Sequence, residues 1–171
     1  RTVIHLDRKS KQVRDDRGDE YTYDKLLIAT GGSPKYLSFG NGNIIYFRNF
    51  QDYKHLRELS ERGNHFVVIG GSFVGSEIAA ALTMVGNKVT MIVRGEAISE
   101  HIFPNDLARF LNDYYRQKGV EVLTHESAAD VQKVGERFKV QMESGLAIEA
   151  DGVVAGIGIR PNLDLAKEAG L

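Results

Sequence analysis

His65-Phe66-Val67-Val68-Ile69-Gly70-Gly71-Ser72-Phe73-Val74-Gly75-Ser76-Glu77-Ile78-Ala79-Ala80-Ala81 is the stretch on which the fold turns. A short apolar run of β-branched and aromatic residues, as at its start, reads as a fully buried strand. Gly70 and Gly71 then make a tight turn. Beyond them Val74, Ile78, Ala81, Leu82 and Val85 recur at helical spacing until Gly86-Asn87 supplies a stop. Strand, glycine turn and helix in succession aim free backbone N–H groups and the positive helix end at one spot, which suits a pyrophosphate. The dinucleotide pattern G-x-G-x-x-G is met at Gly70 and Gly75, but its middle position holds Ser72. A serine crowds the site modestly, and its hydroxyl could donate to a phosphate oxygen. The competing reading is a strand–helix connection that uses glycine for packing alone.

Moving toward the carboxyl end, Lys88 to Val93 reads as a second buried strand. Pro104-Asn105-Asp106 signals a helix start, with Leu107, Phe110, Leu111 and Tyr114 expected on one inward stripe and Gly119 as terminator. Val120 to Leu123 is a third strand, and the alternation implies parallel pairing with right-handed crossovers. From Ser127 to Glu149 the apolar period falls to two (Val131, Val134, Phe138, Val140, Met142, Leu146, Ile148), which predicts an antiparallel meander. Val153 to Ile159 is a last buried strand, Arg160-Pro161-Asn162 an exit, and Leu163 to Ala169 a short helix.

Toward the amino end, Phe50 to Arg62 predicts an amphipathic helix with Tyr53, Leu56 and Leu59 inward. A short strand is expected at Ile44-Ile45-Tyr46-Phe47, after a loop-like run from Lys35 to Asn43. Leu26-Leu27-Ile28-Ala29 reads as a buried strand that ends in Thr30-Gly31-Gly32-Ser33-Pro34, a change of direction suited to a domain boundary. Thr2 to Tyr23 is a polar β-meander, too thin to fold alone. The fold class is therefore α/β, a Rossmann-like three-layer domain with a parallel central sheet and an antiparallel meander.

Bulk properties narrow the function. The 171 residues suit one domain, or one domain and a piece of another. Twenty-two basic residues against 23 acidic ones leave a net charge of −1, which gives no electrostatic reason to expect nucleic acid or an acidic membrane as partner. No cysteine is present, so this segment offers no disulfide, thiolate nucleophile or cysteine-ligated metal, and a cytoplasmic location is expected. No apolar run approaches the roughly 20 residues of a membrane span. The chain opens on Arg1 rather than Met, as a piece of a longer protein would. His5, His55, His65, His101 and His125 show no metal-ligand spacing, so no metal is expected, and no Ser/His/Asp arrangement supports hydrolysis.

Three separated stretches resemble one family: Tyr23 to Gly32, the loop from Gly70 to Glu77, and Ala155-Gly156-Ile157-Gly158-Ile159-Arg160-Pro161-Asn162. Together they are similar to the FAD- and NAD(P)-dependent pyridine nucleotide oxidoreductases, most of all the ferredoxin-reductase and apoptosis-inducing-factor branch. The resemblance implies a split FAD domain interrupted by a nucleotide domain. Residues 1–34 would be the tail of the first FAD half, residues 35–159 the NAD(P)H-binding domain, and residues 160–171 the return into FAD territory. It further implies hydride transfer from nicotinamide to flavin, then electron delivery to an acceptor the chain does not identify. On its own the chain is expected to bind dinucleotide without flavin and without turnover.

Roles follow by position. Gly70, Gly71, Ser72, Phe73, Val74 and Gly75 would surround the pyrophosphate. Phe73 matches the aromatic that covers the flavin ring until nicotinamide displaces it, against the plainer reading of a core aromatic. Glu77 matches the acid that holds the nicotinamide carboxamide, against a solvated first-turn glutamate. Gly156, Ile157 and Gly158 would border the nicotinamide ribose, and Thr30 and Gly31 match a hinge that touches FAD. The acid usually found at the end of the second strand is replaced by Val93. Arg94 could receive a 2′-phosphate, while Glu96 could take a ribose hydroxyl and Glu100 adds negative charge, leaving NADH and NADPH both open. Two rivals stand beside this reading, a flavin-independent NAD-dependent dehydrogenase and a non-catalytic NAD(P)H-sensing module.

Overall fold

The computed structural model describes residues 1–171. Its first elements are β1 (Val3–Asp7), β2 (Gln12–Asp15), β3 (Glu20–Thr22), β4 (Gly32–Pro34), α1 (Phe50–Arg62), β5 (His65–Ile69), α2 (Phe73–Met84) and β6 (Lys88–Val93). There follow α3 (Asn105–Gln117), β7 (Val120–Thr124), β8 (Ala128–Val134), β9 (Arg137–Met142), β10 (Ala147–Ala150), β11 (Gly152–Ala155), β12 (Ile159–Pro161) and α4 (Asp164–Glu168). Two units emerge, Arg1–Ser33 with Ile159–Leu171, and Pro34–Gly158.

In the first unit β1, β2 and β3 form an antiparallel meander, with Val13 opposite both Leu6 and Tyr21. Buried Asp15 closes its turn by accepting the Arg17 and Asp19 amides and pairing with Arg1. Elsewhere in the unit β4 pairs with β12. The expected strand at Leu26–Ala29 does not form, and Leu27 is 87% exposed. An apolar run becomes a buried strand only when neighbouring strands answer its backbone groups, and here none lies alongside it.

The second unit is built on the parallel sheet β11-β5-β6-β7. Alternation along each strand sends side chains to opposite faces. Phe66, Val68, Val89, Met91 and Val122 pack against Leu56 of α1 and Ile78, Ala79 and Leu82 of α2. Val67, Ile69, Ile92 and Val153 pack against Val131, Val140 and Met142 of the antiparallel meander β8-β9-β10. Helices, parallel sheet and meander make three layers, and the core lies on both faces of the sheet. α1 begins with a reciprocal cap: the Asn49 side chain accepts the Asp52 amide while the Asp52 carboxylate accepts the Asn49 amide.

Several expected faces are rotated or shortened. Residues 44–47 make only one parallel bridge, Ile45 to Val154, rather than a strand. In α1 Leu56 is buried and Leu59 packs on the core, but Tyr53 is exposed and stacks on Phe50. In α2 the buried face is Gly75, Ser76, Ile78, Ala79 and Leu82, whereas Val74, Ala81 and Val85 are exposed. α3 departs most. Leu107, Phe110 and Tyr114 face solvent, and Ala108, Leu111, Asn112 and Tyr115 face inward. Both sets satisfy helical spacing, so periodicity alone does not choose between them. The choice is made by polar groups: Asn112 bonds the chain around Glu96 and Ile98, and the Tyr115 hydroxyl donates to the Ser76 carbonyl at 3.1 Å.

Candidate functional site

The site is the corner joining β5 to α2. Parallel pairing of β5 with both β6 and β11 places it at the carboxyl edge of the sheet, where the chain order reverses. In open α/β sheets this is where a crevice forms. The Gly70 amide donates to Ile92 of β6 at 2.8 Å, and the Gly156 amide donates to Ile69 of β5 at 2.8 Å. Gly70 holds φ at +102°, a left-handed conformation that favours glycine. A Cβ on Gly75 would overlap the Gly70 carbonyl oxygen, and one on Gly156 would sit 2.5 Å from the Gly75 nitrogen. The corner, the first turn of α2 and the exit of β11 therefore interlock through bare backbone.

Ser72 behaves differently from the expectation. Its backbone occupies the N-cap of α2, but its hydroxyl caps no amide. Instead Oγ donates to the Gly156 carbonyl at 2.5 Å, so it ties two loops together rather than facing an anion. The first amide of α2 bonded back along the chain is Ser76, to Ser72 at 2.8 Å. The N–H groups of Phe73, Val74 and Gly75 have no partner within the helix. Three uncapped amides at the positive end of a helix, bordered by glycine, can receive a diphosphate.

Phe73 is exposed and sets its ring edge-on to Phe103, with centroids 6.0 Å apart. Glu77, one turn further, is also exposed. With Val74, Phe47 and Arg48 it lines a groove of about 450 Å³ between α1 and α2. Val93 is buried, and its methyls lie where a Cβ on Gly71 would meet them at 3.1 Å. It offers a ligand no side chain. Arg94 is exposed and unpaired, whereas Glu96 accepts from Arg109 Nε at 2.9 Å and Nη2 at 2.7 Å. The Glu100 carboxylate accepts the amides of Glu96 and Ala97, at 2.7 and 3.2 Å. Buried Asn112 accepts the Ile98 amide and donates to the Glu96 carbonyl, each at 2.9 Å. Ser99 bonds the Gly71 carbonyl through its amide at 2.8 Å, joining this loop to the corner. Across the corner Gly156 is buried, Ile157 packs on the meander-side core, and Gly158 has φ +96°.

Thr30 and Gly31 belong to the first unit. They are zipped to Asn162: its amide donates to Gly31, its side chain donates to the Thr30 carbonyl, and Thr30 Oγ1 donates back to its carbonyl at 2.6 Å. Asn112, Ser99 and Asn162 were not expected in these roles. The only advance sign was at Asn112, a short amide amid the apolar periodicity of a helix.

The opposite, amino edge of the sheet is closed by side chains. His65 Nε2 lies 2.9 Å from Thr90 Oγ1, which donates to Glu121 at 2.7 Å. Burial and then nearby Lys88 hold the His65 imidazole below its usual pKa. Asp151 accepts the Asn64 and His65 amides and pairs with Arg137. Burial pushes its carboxyl up, but those donors outweigh it and leave it below the ordinary range. No three His, Asp or Glu side chains gather to hold a metal ion, and no helix is long and apolar enough to cross a membrane.

Comparison with known proteins matches residues 1–171 to the family described as pyridine nucleotide-disulphide oxidoreductase. Terpredoxin reductase of Pseudomonas sp is 30% identical over 174 residues, covering 99% of this chain and 42% of that protein. Putidaredoxin reductase CamA of Pseudomonas putida is 34% identical over 182 residues, again covering 99% and 42%. The crystal structure of the covalent putidaredoxin reductase–putidaredoxin complex superposes with a TM-score of 0.89 at 31% identity, covering 99% of this chain and 43% of the other. The chain thus spans about two fifths of the relatives it matches.

Proposed function

The chain belongs to the pyridine nucleotide-disulphide oxidoreductase family, and from that premise we propose that it is the NAD(P)H-binding portion of an FAD-dependent oxidoreductase. The observation that carries the reading is the glycine-lined β5–α2 corner with three uncapped amides at the carboxyl edge of the parallel sheet. Those amides hold the diphosphate. Glu77 orients the nicotinamide through its carboxamide, and Phe73 gates the approach to flavin. Gly156 and Gly158 let backbone run close to the nicotinamide ribose. Bound flavin supplies the hydride acceptor; this chain's residues supply position and field.

The unit Pro34–Gly158 differs by one residue at each end from the proposed nucleotide domain, residues 35–159, and supports that assignment, with residues 1–34 and 160–171 as parts of the flavin domain. The exposed Leu26–Ala29 run fits a strand whose partners lie elsewhere in that domain. Relatives named for terpredoxin and putidaredoxin support a small redox protein as electron acceptor. The setting we propose is the cytoplasm, which fractionation tests. The decisive experiment is anaerobic titration of the intact protein with NAD(P)H while following flavin absorbance. Stoichiometric bleaching is expected. A yellow protein that binds NAD(P)H without bleaching, or a colourless one that binds it, would defeat the proposal.

A further inference from the structure

We propose that the coenzyme is NADPH and that Arg94 selects it, an inference that rests on reading the β5–α2 corner as a dinucleotide site. With the diphosphate at the first turn of α2, the adenosine ribose falls beside the carboxyl end of the next strand, β6. Recognition of a ribose 2′-hydroxyl asks for a carboxylate free to accept there. Val93 holds that position and is buried against Gly71, so it supplies none.

Both acids of the following loop are engaged. Glu96 is gripped by two nitrogens of Arg109. Glu100 is folded back onto the amides of Glu96 and Ala97, in space that exists because a Cβ on Gly95 would overlap its carboxylate. The loop is also fixed in place, by Asn112 on one side and by Ser99 on Gly71 on the other. Releasing either acid toward a ribose would break these bonds. Arg94 is exposed, charged and unpaired at the strand end. A guanidinium matches a phosphate bidentately and gains most from one carrying close to two charges. Glu126, whose amide bonds the Val93 carbonyl at 3.2 Å, is the first acid after the neighbouring strand β7, has no side-chain partner, and serves as the rival.

The experiment is calorimetric titration of the protein with NADPH, NADH, 2′,5′-ADP and 5′-ADP. NADPH and 2′,5′-ADP are expected to bind about 10- to 100-fold more tightly than their unphosphorylated counterparts. Arg94→Ala should remove that difference by weakening the phosphorylated pair while changing NADH by less than about twofold, and Arg94→Lys should restore part of it. Added salt should weaken NADPH more than NADH. Equal or tighter binding of NADH overturns the inference, as does an Arg94→Ala variant that weakens both coenzymes alike. So does loss of NADH binding in Glu126→Gln with NADPH unchanged, which would place the ribose on Glu126. Failure of all four ligands to bind would instead strike the corner assignment itself.

Discussion

At the carboxyl edge of the parallel sheet α2 begins with three amides that no side chain caps, whereas at the amino edge the Asp151 carboxylate accepts the Asn64 and His65 amides. The first edge is finished in glycine: Gly70, Gly71, Gly75 and Gly156 leave no room for side chains between strand, loop and helix. The second is finished in His65, Thr90, Glu121, Asp151 and Arg137, which bond one another or the chain. No buried side-chain nitrogen or oxygen in the chain lacks a partner. The proposed binding corner and the edge closed by side chains thus stand at opposite ends of the same strands.

Substitutions at the two edges should accordingly fail in different ways. The largest effect is expected from Gly75→Val, whose side chain would overlap Gly70. Dinucleotide binding should disappear and urea stability should fall by about 2–3 kcal/mol. Retained binding would show that the corner does not hold the ligand. Asp151→Ala removes the acceptor of two amides and one partner of Arg137, and should cost about 1–2 kcal/mol in the same assay while leaving dinucleotide affinity unchanged. Because the Asp151 carboxyl is held below its unfolded value of 3.8, its contribution is present above that value and is lost as pH falls through the lower folded one. The wild-type protein should therefore lose more stability than Asp151→Ala on acidification in that window.

The smallest effect is expected at His65. Its folded pKa lies below the unfolded value of 6.5, so stability is full above 6.5 and declines as pH falls toward the folded value. His65→Gln should flatten that part of the stability profile, by less than about 1 kcal/mol, and leave coenzyme affinity alone. A change in affinity would mean that the two edges communicate.

The corner was legible because its chemistry is local. A buried strand, a glycine turn and a helix start each announce themselves within a few residues, and their succession dictates parallel pairing. What escaped notice depended on partners distant in sequence. Hydropathy marks Leu26–Ala29 as able to be buried, but only a neighbouring strand can bury it. In α3 two overlapping stripes were equally periodic, and the roll of the helix was settled by Asn112 reaching a loop 14 residues earlier. Ser72 sits where a phosphate donor was expected, yet its hydroxyl found the carbonyl of Gly156, 84 residues onward. The roles proposed for Glu77 and Phe73 come from the family pattern, and slower flavin reduction in their alanine variants is the expected outcome that stopped-flow kinetics would check.

The Lys35 amide donates to the Gly158 carbonyl at 3.0 Å, clasping the second and last residues of the Pro34–Gly158 unit. A segment whose entrance and exit meet can be lifted from its host, or spliced into another, by joining two adjacent ends with a short turn. It can equally be reopened at a surface loop such as Gly145, with new termini and the old ones sealed, without rerouting a single strand.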